Sequence, residues 1–374
     1  MSRPAYIIAA ARTSIVPIGG ALRNFDYDAL AVSPITRCLE TAGIAPDDVD
    51  ELILSNALGS GGNPARVAAL AACLPERIAG LSIDRQCVGG LDAVLLAQSL
   101  IGAGRAEIVL AGGSESYSLR PIRHYKERWA AHAIERDQAR FTPWSDNDPN
   151  MAEAANKLAE QMCISFDRQN EWAIRSHADA LAARDHLEKE ISNPVGVEIS
   201  NDPIARALNT RLCERAPKLS GSISSANTSV AADGAAIMLV VSEGVLSTLK
   251  PRFGLRIRDG KTIGGNPALP GIAPVEAVRE IWNDQGRNVS DIKAVELMEA
   301  YAVQAIACAD EAGLDRSRIN LGGGSLARGH PIGASGAVLA VRLFQELKRS
   351  GGLGLAAIAA AGGLGTAVIF EAIG

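Results

Sequence analysis

Two stretches of the chain follow one plan. Residues 89–116, GGLDAVLLAQSLIGAGRAEIVLAGGSES, and residues 335–366, SGAVLAVRLFQELKRSGGLGLAAIAAAGGLGT, each begin with small residues and run through an apolar helix. Each then turns at glycine and continues as a buried strand ending in Ala-Gly-Gly. A second pairing sets ELILSNALGSGG (51–62) against VELMEAYAVQA (295–305), and in each half that segment precedes the helix–strand unit. Ala/Leu/Gly-rich composition can produce such likeness by chance. Read as a duplication, the pattern predicts two similar α/β halves.

The rest of the chain keeps the same rhythm. Strand-length apolar runs at 5–10, 51–56, 106–113, 235–242, 293–299 and 355–363 alternate with helical patterns at 27–43, 63–73, 90–104, 151–163, 167–190, 273–287, 300–313 and 335–349. Apolar residues at three-to-four spacing mark the helices, and the alternation predicts a mostly parallel sheet covered on both faces. Residues from about 119 to 220 break the pattern, being richer in charge, Trp and His, and read as an insertion that covers a substrate. The expected division is therefore 1–118 with about 221–248 as the N-terminal half, 119–220 as a loop or lid domain, and 249–374 as the C-terminal half.

At 374 residues with 47% hydrophobic and 21% charged side chains, the chain has the balance of a soluble protein with a large core. A net charge of −5 gives no electrostatic footprint for nucleic acid or an anionic membrane. The N-terminal MSRPAYIIAAARTS reads as a first buried strand rather than a signal peptide. The stretch from Gly351 to Phe370 carries no charge, yet its Gly-Gly pairs and Ala-rich content fit two buried strands and a turn better than a membrane tail. The six cysteines, at 38, 73, 87, 163, 213 and 308, show no CxxC spacing and no metal-site clustering. A reduced, cytoplasmic protein without a metal is the simplest expectation.

Two motifs carry chemistry. Cys87 lies in SIDRQCVGGLDAV, between a strand-like run and an apolar helix opened by Gly89 and Gly90. The positive end of a helix dipole and its free N–H groups favour thiolate, although a lone Cys is as often a small buried hydrophobe. His330 lies in the glycine-rich GGGSLARGHPIGASGAV, where a backbone curving around a ligand would justify the cost of ordering so many glycines. A histidine there is a natural general base for the cysteine. The other histidines, His124, His132, His177 and His186, read as solvated.

These motifs resemble the thiolase superfamily. RQCVGGLDAV is similar to its acyl-cysteine motif and GHPIGASGA to its catalytic-histidine motif. AGGSES, IIAAARTSI, ALGSGGNPARVAAL, SSANTSVAADGAA and PGIAPVEA resemble further family segments in family order, over nearly the whole chain. The resemblance implies a five-layered αβαβα fold of two duplicated halves with an inserted loop domain. It implies a homodimer or tetramer, a coenzyme A thioester as substrate, and no permanently bound cofactor. It further implies Cys87 as the acylated nucleophile, His330 as base, Glu299, Gly363 and Ala361 in supporting or oxyanion roles, and Ser229 beside the pantetheine arm.

Two positions depart from the family. Its second cysteine, which moves a proton at the substrate α-carbon, falls at Ala359; its Asn, which anchors a water at the enolate oxygen, falls at Met298. Tyr301 stands where the family has Phe. Acid/base assistance is worth roughly 10²–10⁴-fold, and one oxyanion donor about 10²–10³-fold. Carbon–carbon bond chemistry is therefore expected to be impaired, while acyl transfer through Cys87 and His330 is retained. Two other readings stand beside this one: an ordinary acetyl-CoA acetyltransferase or 3-ketoacyl-CoA thiolase, and a non-catalytic subunit that keeps the fold.

Overall fold

The apolar runs become strands, and their arrangement repeats. The computed structural model describes residues 3–59, 61–126, 133–135, 139–144, 148–285 and 289–374. Strands β1 (Ala5–Arg12), β2 (Glu51–Ser55), β3 (Leu81–Ile83), β4 (Ile108–Glu115) and β5 (Ala232–Ser242) lie in the order β3-β2-β4-β5-β1. Strands β6 (Gly254–Gly264), β7 (Ile292–Leu297), β8 (Leu353–Ala360) and β9 (Leu364–Ile373) follow in the order β7-β8-β9-β6. With β3 set aside, the two series match strand for strand. β2 and β4 are parallel, as are β7 and β8; every later neighbour in each series is antiparallel. The series meet where β1 pairs with β6 through Tyr6–Arg256 and Ile7–Leu255.

The sheet is thus mixed, not mostly parallel as the alternation predicted. One antiparallel pair has a local cause: β8 and β9 are joined by a tight turn at Gly362 and Gly363, both at positive φ, and a hairpin can only pair antiparallel strands. That hairpin also accounts for the uncharged C-terminal stretch. No helix among the described residues is long and apolar enough to cross a membrane.

Among the described residues, eight longer helices accompany the strands: α1 (Tyr27–Ala42), α2 (Pro64–Ala71), α3 (Gly89–Gly102), α4 (Met151–Gln161), α5 (Phe166–Ala182), α6 (Pro274–Gln285), α7 (Ala302–Glu311) and α8 (Ile332–Ser350). The duplicated helices α3 and α8 pack on each other and on strands of both halves. Their apolar faces, with Leu91, Val94, Val338 and Leu343, merge with Ile7, Met238, Ile358 and Phe370 into one central core. α1 and α2 cover the outer face of the first series, and α6 and α7 that of the second. The result is α–β–α–β–α layering.

The two central helices cross where they begin. A Cβ on Gly90 would sit 2.6 Å from the Ala337 backbone nitrogen, and one on Gly336 would sit 2.5 Å from that of Leu91. Only glycine lets the backbones approach this closely.

The inserted helices α4 and α5 share a core with α7, through Ala155, Leu158, Trp172 and Ala173 against Ala302, Val303 and Ile306. The stretch 167–190, expected as one helix, ends at Ala182. Short turns Arg184–Leu187 and Glu188–Glu190 then swing Glu190 inward. Its carboxylate accepts from Arg12 Nε and Arg342 Nη1, each at 2.6 Å, and Asp202 takes the remaining face of Arg12 at 2.8 and 2.9 Å. Arg12, Glu190 and Arg342 are fully or almost fully buried. This ion cluster ties the insertion to both halves.

Candidate active site

The loop from β3 into α3 delivers Cys87. Gln86, just before it, holds a left-handed φ of 52°. That conformation is costly for a residue with a side chain. Asp84 supports it by accepting from the Gln86 backbone N–H at 3.0 Å and from its side-chain amide at 3.2 Å. His330 arrives from the other half, in the turn that opens α8. Its backbone N–H donates to Val230 O at 2.8 Å, which joins this turn to the segment before β5.

The two meet at one point. Cys87 Sγ lies 3.3 Å from His330 Nε2, and His330 Nδ1 lies 2.6 Å from Ser335 Oγ. With Nδ1 donating to Ser335, Nε2 offers its lone pair to the thiol. Burial pushes the Cys87 thiol up to about 12, against the pull of the Cys87 and Ala361 backbone N–H groups. Burial holds His330 down at about 4. The resting pair is a neutral thiol and a neutral imidazole. The thiolate expected from the helix dipole does not prevail, because loss of hydration outweighs a dipole felt only at one side.

The pair opens on a cavity of about 520 Å³, whose walls include Ser229, Tyr117, Tyr301 and Ala359. The Ala361 backbone N–H, just past the end of β8, pulls the Cys87 thiol down. Ser229 donates its hydroxyl to Ser325 O at 2.6 Å. Ala359 offers only a methyl group.

Three residues singled out from sequence do not line this cavity. Met298 is buried in the central core, with Ser325 Oγ 3.1 Å from its sulfur. Gly363 sits in the β8–β9 turn at φ 80°, its carbonyl accepting from Gly265 N–H at 2.6 Å. Glu299 is a buried hub: it accepts from Trp172 Nε1 at 3.0 Å, Ser176 Oγ at 2.7 Å, Asn320 Nδ2 at 2.7 Å and Leu326 N–H at 3.2 Å. It joins α5 to the glycine-rich loop before His330 and supports the site from behind. Among the remaining histidines, His124 and His186 are exposed, whereas His177 is buried in α5 and lowered to about 4 by burial and by Arg206, contrary to the solvated reading. His132 lies outside the described residues.

Sequence reasoning passed over Glu115, although it ends the strand AGGSES. Its carboxylate accepts from Ala57, Leu58 and Gly333 backbone N–H at 3.0, 3.1 and 2.9 Å, and from Asn56 Nδ2 at 2.9 Å. Burial pushes it up to about 7 despite these donors. One buried acid thus fixes the end of β2 against the turn that carries His330. Replacing Glu115 by Gln turns an acceptor oxygen into a donor that faces N–H groups. We expect a stability loss of about 1–3 kcal/mol in chemical denaturation, the cost of stranding a buried donor, together with slower acylation of Cys87. Unchanged stability and acylation would remove Glu115 from this role.

Comparison with known proteins gives a consistent picture. The family model "Thiolase, N-terminal domain" matches residues 5–244 and "Thiolase, C-terminal domain" matches residues 252–372. A Bacillus subtilis (strain 168) protein named "Putative acetyl-CoA C-acetyltransferase YhfS" is 40% identical over 380 residues, covering 99% of each chain. A Staphylococcus haemolyticus (strain JCSC1435) protein named "Putative acetyl-CoA C-acetyltransferase VraB" is 34% identical, again over 99% of each. The crystal structure of the Bacillus anthracis acetyl-CoA acetyltransferase superposes with a TM-score of 0.93 at 33% identity, covering 100% of this chain and 99% of that one.

Proposed function

Because this chain belongs to the thiolase family of acyltransferases, we propose that Cys87 takes an acyl group from an acyl-CoA, with His330 as base, and passes it to an acceptor other than the α-carbon of a second acyl-CoA. The observation that carries this reading is the 3.3 Å contact between Cys87 Sγ and His330 Nε2. The thiol proton moves to Nε2 as the sulfur attacks the thioester carbonyl. The backbone N–H groups of Cys87 and Ala361 receive the oxyanion. Coenzyme A leaves as its thiolate and takes the proton from His330. No permanently bound cofactor takes part. The pantetheine arm runs past Ser229.

Claisen condensation and thiolysis need more than this. A proton must move at the α-carbon and charge must rest on an enolate oxygen. The Ala359 methyl exchanges no proton, and Met298 is buried away from the cavity. The same proposal treats 1–118 with about 221–248 and 249–374 as the two halves, 119–220 as the covering domain, and the protein as a cytoplasmic homodimer or tetramer. A second reading, an ordinary acetyl-CoA acetyltransferase, is favoured by the names of the relatives.

The deciding assay follows acetoacetyl-CoA loss in the presence of CoA. The wild type should turn over slowly. Ala359→Cys, on the cavity wall, should raise thiolysis modestly, whereas Met298→Asn, buried in the central core, should add nothing to it. Robust wild-type thiolysis, unmoved by Ala359→Cys, would establish the ordinary thiolase instead.

A further inference from the structure

Tyr301 stands at the entry to α7, its backbone extended (φ −136°) and bridged to Thr228 across the cavity wall. Its ring packs against the core beneath the second half. Its hydroxyl hydrogen-bonds to no protein atom among the described residues, yet it shares the cavity with Cys87, His330 and Tyr117. The neighbouring polar group Ser229 is already committed to Ser325 O, and Ala359 offers no hydrogen bond. The residue is half-buried, and its phenol oxygen, unpaired by protein, is open to the cavity, where water or a ligand can complete it.

We propose that Tyr301 is a catalytic residue of the second half-reaction, its phenol oxygen accepting a hydrogen bond from an acceptor with two N–H or O–H bonds, a primary amine or water, and aiming it at the Cys87 thioester. The inference rests on the acyl-Cys87 reading above. One X–H bond of the acceptor points to His330 Nε2 and the other to Tyr301. The nitrogen or oxygen attacks the thioester carbon, so a C–X bond forms and the C–S bond to Cys87 breaks. The acceptor's proton passes to His330 and from there to the departing sulfur, which restores the thiol. Tyr301 neither gains nor loses a proton. Burial, with Cys87 and Tyr117 adding to it, pushes its phenol up to about 12, so it stays neutral throughout. A thiol acceptor has one S–H, a weak donor, and gains little from such a partner. The site therefore selects nitrogen or oxygen acceptors over thiols by a polar contact, which discriminates more sharply than an apolar wall.

The test uses Tyr301→Phe, which removes only an oxygen with no protein partner. Wild type and variant are loaded with acetyl-CoA, and intact mass follows loss of the adduct to hydroxylamine, to water, and to a small thiol, N-acetylcysteamine. The expected result is that the ratio of hydroxylamine transfer to thiol transfer falls about tenfold in the variant, the effect of one hydrogen bond, with hydrolysis falling alongside. An unchanged ratio, or an equal slowing toward all three acceptors, overturns the inference and leaves Tyr301 as a wall. A wild type that forms no adduct overturns the acyl-Cys87 reading and this inference together.

Discussion

Cys87→Ala should lose the acyl adduct completely. Incubated with acetyl-CoA, the wild type is expected to gain one acetyl mass and release one CoA per chain; the variant is expected to do neither. The loss should be total because the covalent bond has no other site to form. Cys38, Cys213 and Cys308 are buried, and Cys73 and Cys163 are exposed. His330, the proposed base, contacts Cys87. The fold should survive, since Cys87 lies at the cavity rim of the central core and is only partly buried, and removal of its sulfur leaves space continuous with the cavity. Matching circular dichroism and thermal midpoints would establish that. An acetyl mass that persists in the variant would remove Cys87 from the mechanism.

Glu190→Gln should produce the largest loss of stability, about 3–5 kcal/mol, the range found when one partner of a buried ion pair is removed. The carboxylate lies between two guanidiniums, those of Arg12 and Arg342, each at 2.6 Å. Arg12 retains Asp202, and Arg342 retains Glu346 and, at 3.9 Å, Glu296. The amide cannot balance either cation. Burial by itself would raise the Glu190 carboxyl, but Arg342, Arg12 and Arg328 outweigh it and hold it below the usual range. A depressed carboxyl stabilises the fold above its unfolded value of about 4.3, and that contribution is lost as pH falls through the lower folded value. The gap between wild type and variant, read from denaturant midpoints, should therefore be full at pH 7 and narrow only below about pH 4. A gap under about 1 kcal/mol at pH 7, the scale of an exposed pair, would show that the cluster contributes little.

Much of the architecture was legible in the sequence because the strands that define it are buried on both faces. Runs such as Ile108–Leu110 and Ile237–Val241 are continuous and apolar, and a continuous run needs no partner to be recognised. β6 escaped notice for the opposite reason. Its Arg256, Arg258 and Lys261 interrupt the apolar residues, since most of the strand is only half-buried and its faces can carry charge. The mixed sense of the sheet was equally hidden, since it depends on how strands far apart in the chain, such as β1, β5 and β6, are brought side by side rather than on any strand's composition.

The site divides in the same way. Cys87 and His330 could be singled out because their glycine-rich surroundings are unusual along the chain. Glu115 could not, because its four donors come from residues 56–58 and 333, which only the fold brings together. His177 misled because its charged helical neighbours, Arg175 and Asp179, face outward while its own ring faces the core. Met298 was placed by its position beside Glu299. Adjacent residues at a strand end point to opposite sides, and here Met298 enters the central core while Glu299 turns toward α5.

The crossing of α3 and α8 at Gly90 and Gly336 places the start of one repeat against the start of the other. The thiol comes from the first copy and the imidazole from the second, so the proposed reacting pair straddles an internal interface between like halves. Neither half holds a working pair by itself. A separation of the halves by even an ångström or two would break a 3.3 Å contact before it unfolded either sheet, which makes the chemistry a direct gauge of how tightly the two copies are docked.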